Sequence, residues 1–457
     1  MKSGVFRVLS LILAVCLALP LLPLAASAAV VTEDGHVIAD PDRLEEFVFP
    51  GNWADAALRF CVGNGIMNGR GDDLAANEKT TRAETAALLV RLLGAKSDAP
   101  DLSRFADAEE NAWYYAELAA AVEMGIMNGV SSTRLAPDDS ITREQVFTLL
   151  SRAFGLYPED PKAYKRFTDS ASCSAYARDA VSALAELGIL TGYTDGSVKP
   201  KQSITRAELA KLLYELFTCS CDSPEELPET GRVLYRGSEP IPEGYALNGS
   251  LTIGCGWQGE QTLTDVSVSG LLVLRPAPGT GLTMTGCSAG KLSIAGKTTV
   301  SGECAADWIA VAGRGSVVEV GGENCAVFAD CVIPGDMANL TIEADGVTVE
   351  LNGRAEGCVI NGKNVTILGG GSVGTVVLNA SGSDVQVSYE TLEENARNNP
   401  DRALETVQTL EVWDTVTEDT RLYSGQSLTG QIRALSAGTR LRHYYYRAGE
   451  ASASVYT

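Results

Sequence analysis

Histidine is nearly absent: the 457 residues contain two, His36 and His443. That shortage removes His-rich metal sites and Ser-His-Asp triads, since both need imidazole at the working centre. Positive charge is also short, with 36 Lys+Arg against 58 Asp+Glu and a formal net charge of -22. A nucleic-acid binder needs a basic face to neutralise phosphates, and this balance argues against one. Beyond Leu24 no stretch is long and apolar enough to span a bilayer. Nucleophile elbow, phosphate-binding loop and dinucleotide fingerprint are missing too. Ten of the eleven cysteines lie beyond residue 28, spread too thinly for a disulfide scaffold. No cofactor, metal or catalytic residue is therefore expected. What is present is an apolar fraction of 45%, ample for packed cores, in a chain long enough for about three domains.

The first residues read as an address. Lys2 and Arg7 precede an apolar run from Val8 to Leu24, which ends in Ala26-Ser27-Ala28. A basic start, a short apolar stretch and an Ala-x-Ala site predict a signal peptide over 1–28, and hence export.

Internal repetition follows. Gly65-Ile66-Met67-Asn68-Gly69, Gly125-Ile126-Met127-Asn128-Gly129 and Gly188-Ile189-Leu190-Thr191-Gly192 are copies of one motif. An aromatic residue stands 12 positions before each: Trp53, Trp113 and Tyr176. A polar loop and then Thr81-Arg82-Ala83-Glu84, Thr142-Arg143-Glu144-Gln145 or Thr205-Arg206-Ala207-Glu208 come after it. Trp53, Ala57, Phe60 and Cys61 have the spacing of an amphipathic helix, which the motif glycine would end in a left-handed turn. Thr with Glu or Gln three residues later is a capping box that opens a second helix. Each unit is thus helix, long loop, helix. Arg82, Arg143 and Arg206 fall in a first helical turn, where the dipole disfavours a cation. Free helix-start amides beside a guanidinium would instead suit an anion.

These units resemble S-layer homology (SLH) modules, over residues 44–94, 103–156 and 165–218. The resemblance rests on Phe105-Ala106-Asp107, Trp113 and Thr142-Arg143 in the second copy. In the third it rests on Phe167-Thr168-Asp169, Tyr176, Asp195-Gly196, Pro200 and Thr205-Arg206. It implies an all-α pseudo-trimer whose grooves bind anionic, often pyruvylated, secondary cell-wall polysaccharide without a covalent bond. Arg82, Arg143, Arg206, Asp107 and Asp169 would line those grooves, with Trp53, Trp113 and Tyr176 available to stack on sugar. The first copy departs: Phe49 stands where Asp is expected and Ala76 replaces the loop proline. On that ground Arg82 is expected to matter less than Arg143 or Arg206.

Residues 221–245, with Pro224, Pro228, Pro240, Pro242 and six acidic residues, read as a solvated linker. Within them Leu227-Pro228-Glu229-Thr230-Gly231 matches a sortase pattern, but the apolar segment and basic tail that sorting requires do not follow it. Arg70-Gly71-Asp72 is read as an ordinary polar loop. From 246 to 389 short β-rich runs alternate with Gly, Asn and Asp turns. Ile294, Val318, Ile342 and Ile367 are 24, 24 and 25 residues apart, which predicts a parallel β-helix, with a β-sandwich as the alternative. Cys304, Cys331 and Cys358, 27 residues apart, read as a column of small buried side chains. Asp330, Asp336, Glu343 and Asp345 could meet on neighbouring coils, yet no motif makes them catalytic. Residues 390–409 suggest a helical connector, and 410–457 loosely resemble an incomplete bacterial SH3-like module, on Thr420–Ser427 and Gly438-Thr439. The expected protein is an exported, wall-anchored display module and not an enzyme. A glycan-degrading enzyme and an S-layer lattice subunit are the alternatives.

Overall fold

A computed structural model describes residues 28–395 except Asp98 and Gly321–Glu323, and six strands between Val407 and Tyr456. The expected signal peptide lies outside the described residues apart from Ala28. Each repeat supplies two helices. They are α1 (Asp55–Gly63) and α2 (Arg82–Leu92), α3 (Tyr115–Glu123) and α4 (Arg143–Ala153), and α5 (Arg178–Glu186) and α6 (Arg206–Leu216). Ala57, Phe60 and Cys61 form the buried stripe of α1, whereas Trp53 precedes the helix and is exposed. Gly65, Gly125 and Gly188 follow the first helices with φ of 66°, 69° and 73°, the left-handed geometry that a side chain disfavours. Full capping boxes open α2 and α6. At α4 the Gln145 side chain accepts from the Thr142 amide at 2.9 Å, while the Thr142 hydroxyl makes no hydrogen bond.

The three units close into a ring. The second helix of each packs on the first helix of the next: α2 on α3, α4 on α5, α6 on α1. Three backbone hydrogen bonds form a triangle about the pseudo-threefold axis. Thr80 N donates to Ile204 O at 3.2 Å, Ile204 N to Ile141 O at 3.1 Å, and Ile141 N to Thr80 O at 3.1 Å. These residues immediately precede the three capping threonines. A hairpin of Val30–Val31 and Val37–Ile38 covers the unit, with His36 buried and stacked on Tyr214 at 3.5 Å between ring centroids.

After Phe217 and Thr218, which follow α6, the chain enters a parallel β-solenoid of about 10 turns. One ladder runs unbroken through it. Its inward positions are Cys219, Val233, Leu251, Leu272, Leu292, Ile309, Cys325, Leu340, Cys358, Val376 and Leu392, each paired with the next in register. All are buried. At about 4.8 Å between rungs, ten steps extend roughly 48 Å. A sandwich is thereby excluded.

Four expectations change. The supposed linker over 221–245 contains a solenoid rung, Thr230–Tyr235, which pairs with Cys219–Cys221 on one side and Asn248–Ile253 on the other. Its composition misleads because only Val233 and Tyr235 point into the coil and Leu234 packs against the helical core, while Thr230, Gly231 and Arg232 stay at least partly exposed. The coil is also shorter than 24 residues: from Cys331 onward partners are mostly 18 apart, as in Cys331↔Val349 and Thr348↔Thr366. Ile294 and Ile342 lie on one face of the coil, Val318 and Ile367 on another, so the apparent period alternates between faces. Cys304, Cys331 and Cys358 likewise form no single column, although all ten cysteines among the described residues are buried with free thiols. Finally, Glu390–Glu394 is strand, part of the rung Ser388–Glu394 laid on Ser372–Leu378, and not a helix. Burial of Leu392 under the last coil outweighs local helix preference there.

The SH3-like expectation for 410–457 is not supported. Of the residues that carried it, Ser424–Ser427 and Gly438-Thr439 lie outside the described residues. The described strands there pair antiparallel, Val412–Thr415 and Ala451–Tyr456 with Arg440–Ala448, and Thr420–Tyr423 with Gln431–Leu435.

Candidate functional site

The motif residues meet at the three joints between repeats. Arg82, Arg143 and Arg206 are 6%, 6% and 8% exposed, and each reaches into the loop of the next repeat. Arg82 donates through Nε to Leu135 O at 2.7 Å and through Nη2 to Asn128 O at 2.8 Å. Arg143 donates through Nε to Val198 O at 2.8 Å, with Glu208 Oε1 3.4 Å from its Nη1. Arg206 closes the ring onto the first repeat, donating to Leu74 O and Asn68 O.

The helix-start amides are spent in the same way. Arg82 N and Ala83 N donate to Asp139 O and Pro137 O, Arg143 N and Glu144 N to Gln202 O and Pro200 O, and Arg206 N and Ala207 N to Glu78 O and Ala76 O. The expected pairing of free amides with an exposed guanidinium is therefore absent. The amides of the first turn satisfy carbonyls across the joint, and the cation compensates for its position in the helix by taking carbonyl partners. Burial pushes the Arg82 and Arg206 pKa values down from the ordinary range.

Asp107 and Asp169 hold the other side of these loops. Asp107 accepts from Leu135 N at 2.9 Å and Ala136 N at 2.8 Å, and Asp169 from Val198 N at 2.9 Å and Lys199 N at 2.8 Å. Burial opposes charge on Asp107, but the two amides prevail and keep its carboxyl below the usual range. One peptide segment is thus gripped twice: its N–H by Asp of its own repeat, its C=O by Arg of the preceding one. Ala75, Ala136 and Lys199 in these loops have φ of 48°, 53° and 49°, a conformation that costs a residue with Cβ. In the first repeat Asp73 substitutes, its Oδ1 accepting from Ala75 N at 2.9 Å. Phe49 lies beneath the Arg59 guanidinium, 4.2 Å from the ring centroid.

The joint pairing changes the ground for ranking Arg82 below the other two arginines. Arg82 works against the second repeat's loop, which Asp107 secures. It is Arg206 that meets the first repeat's loop, where the motif Asp is missing.

Trp53, Trp113 and Tyr176 are 61%, 59% and 52% exposed, so Trp113 is not a core residue. Tyr176 donates its hydroxyl to Glu144 Oε1 at 3.0 Å, across the joint between the second and third repeats. Buried Glu144 also accepts from Ser174 N at 3.0 Å and Lys201 Nζ at 2.6 Å. Burial works against its charge, and these donors hold the carboxyl below its ordinary value.

Sequence reasoning missed the residue after the second motif glycine: Arg70, Val130 and Tyr193. Tyr193 donates to Glu208 and lies under the Arg143 guanidinium, 4.9 Å from the ring centroid. Burial and the Glu208 bond push its hydroxyl up to about 12. Arg70 pairs with Glu78 and Glu84, and Val130 is half exposed. Their constant offset from the glycine was the available signal. Leu227–Gly231, the sortase-like string, runs into the Thr230–Tyr235 rung, with Pro228 O bonded by the Tyr245 hydroxyl at 2.6 Å.

The S-layer homology domain model matches residues 49–86, 104–147 and 166–210, coinciding with the ring. The chain carries three S-layer homology repeats. They are 34% identical over 169 residues to an amylopullulanase of Thermoanaerobacterium thermosulfurigenes, covering 36% of this chain and 9% of that one. An endoglucanase of Bacillus sp. (strain KSM-635) is 31% identical, covering 40% of this chain and 21% of its own. The surface-layer 125 kDa protein of Lysinibacillus sphaericus is 27% identical, covering 46% and 17%. The chain thus spans about a fifth or less of the length of these relatives. S-layer homology repeats and S-layer relatives indicate a location at the cell surface and cell wall. Among the described residues no helix is long and apolar enough to cross a membrane.

In the solenoid the four acidic candidates stay apart in function. Asp330 Oδ1 accepts from Thr348 N, Asp336 Oδ1 from Arg354 N and Asp345 Oδ1 from Lys363 N, each at the next coil 18 residues on. Glu343 accepts from Asn361. Their geometry is that of staples between coils. Among the described residues no group of three or more His, Cys, Asp or Glu could hold a metal ion.

Proposed function

We propose that the S-layer homology ring binds anionic, pyruvylated secondary cell-wall polysaccharide in its inter-repeat grooves and so tethers a non-catalytic solenoid to the wall. One observation carries this reading: an exposed aromatic residue repeats at one motif position in all three copies, and in the third it reaches across a joint whose arginine is already fixed. Trp53, Trp113 and Tyr176 keep more than half of their surface in water at one shared motif position, where an aromatic face is available to a sugar ring. Arg82 and Arg206 each spend Nε and Nη2 on carbonyls, which leaves the Nη1 edge for a ketal carboxylate. Preorganised cations of this kind lose little side-chain entropy on binding. The solenoid's carboxylates serve as coil staples, which supports a structural role for that region.

Sedimentation of the full chain with purified walls tests the anchor. Walls carrying the polysaccharide should retain it, and walls stripped of the polymer or of its ketals should lose it. Trp113→Ala should weaken retention about tenfold without altering the fold, as expected for one stacking contact of roughly 1–1.5 kcal/mol. Equal retention by stripped walls overturns the reading.

A further inference from the structure

The helical ring and the solenoid meet around a cavity of about 880 Å³. The contacts that hold them together are specific. Ser293 Oγ donates to Gly155 O at 2.6 Å, Cys255 N to Leu93 O at 2.8 Å, and Tyr157 stacks on Phe328 with centroids 4.0 Å apart. Lys291 pairs with Glu159.

In a chain of net charge -22, the cavity wall has the opposite sign. Arg104 and Arg152 reach it from the second repeat, and Arg275, Lys297 and Arg314 from the solenoid. Among the described residues the carboxylates lining it are Asp101 and Glu123. Among the described residues, only Arg314 of the five cations has an ion pair, with Asp330 at 3.0 Å. Arg104 faces the Phe105 ring, and Arg152 has no side-chain hydrogen bond or ion pair among the described residues. Arg275 is 4% exposed, donates to Ala295 O and Met124 O, has no carboxylate partner, and leaves Nε without any hydrogen bond. A buried guanidinium without a counterion is costly, and a fold that keeps it beside Arg104, Arg152 and Lys297, none of them in an ion pair among the described residues, is poised for an anion.

We propose that this junction cavity is a second glycan site, separate from the grooves between repeats, for an oligosaccharide bearing several carboxylate or phosphate groups. The volume lies within the range of about 300–1,000 Å³ typical of ligand pockets and is far larger than a single small anion needs. The stacked Tyr157 and Phe328 give one wall a flat apolar face of the kind that packs against sugar rings. Guanidinium groups on two sides match bidentate carboxylate or phosphate oxygens. Because each domain supplies part of the wall, occupancy also reinforces their docking.

The test is calorimetric titration of the full chain with tri-galacturonate, a glycerol-phosphate trimer, maltotriose and tri-glutamate, with hydrogen exchange to locate binding. One of the two anionic non-peptide probes should bind, and which one identifies the acid group. Protection should appear over residues 152–157 and 295–297, and affinity should fall steeply with added salt. Arg104→Gln combined with Lys297→Gln, both at exposed positions, should weaken that binding at least tenfold while leaving thermal unfolding unchanged. Equal binding of maltotriose or tri-glutamate overturns the assignment. So does failure of both anionic probes, protection confined to the grooves between repeats, or unchanged affinity in the double variant.

Discussion

Both halves of the molecule are built by repetition, but the ring closes and the solenoid does not. In the ring, copy three finishes on copy one through Arg206 and Ile204, so each joint has two neighbours and no copy is terminal. In the solenoid each coil's strand pairing runs only to the coils before and after it. The ring therefore repeats the side chain that ties each joint to the next loop, arginine three times in one place, while the surrounding contacts, such as Tyr176 with Glu144, differ from joint to joint. The solenoid asks only for an apolar side chain of roughly fitting size, and Cys, Val, Leu and Ile share its inward column.

That contrast can be broken from either side. Leu340→Ala removes a buried member of the inward column and should cost about 3–4 kcal/mol, confined to the solenoid. In differential scanning calorimetry the solenoid transition should move while the ring transition stays. Arg206→Ala should cost the ring about 2–3 kcal/mol, since the Leu74 and Asn68 carbonyls lose a charged donor. Here the ring transition should fall and the solenoid should hold. If both transitions move together in both variants, the halves fold as one and the contrast is only formal.

Asp107→Ala should cost about 1.5–2.5 kcal/mol by freeing the Leu135 and Ala136 amides. Its pH dependence sharpens the assignment. The folded carboxyl titrates below its unfolded value of about 3.9, so its contribution is complete above that pH and is lost as the pH falls through the lower, folded value. Urea midpoints measured between pH 7 and pH 2 should converge for wild type and Asp107→Ala at the acid end. The smallest change expected is a gain: Ala136→Gly relieves a positive φ and should stabilise the ring by about 1 kcal/mol. Urea midpoints for this variant check it; a loss of stability would show that the methyl group, and not the dihedral, matters in that loop.

The helices, their caps and the threefold repetition were legible because each is carried by local spacing: the motif glycine, the capping box, the Ala57–Phe60–Cys61 stripe. The parallel coil architecture was legible from short β-rich runs separated by turns. What the arginines do was not, because their partners belong to the following copy and appear only on closure. A single repeat shows Arg82 at a helix start. It cannot show Leu135 O waiting for it. The Thr230–Tyr235 rung was hidden for a different reason: two inward residues suffice to seat it, too few to overcome the signal of the surrounding prolines and acids.

Only Phe217 and Thr218 separate the end of α6 from the ladder that starts at Cys219, so no slack separates the anchor from what it carries. Rung-to-rung hydrogen bonds lie along the long axis, and traction applied at the distal end loads them in series. Such an assembly yields first at the end remote from the ring, where Val407–Thr409 pairs on the last rung, peeling one coil at a time and leaving the anchor for last. Each lost coil of 18 residues pays out roughly 60 Å of chain. The solenoid thereby acts as a graded fuse between a moving load and the wall: single-molecule stretching should show a staircase of such steps before any helical repeat gives way.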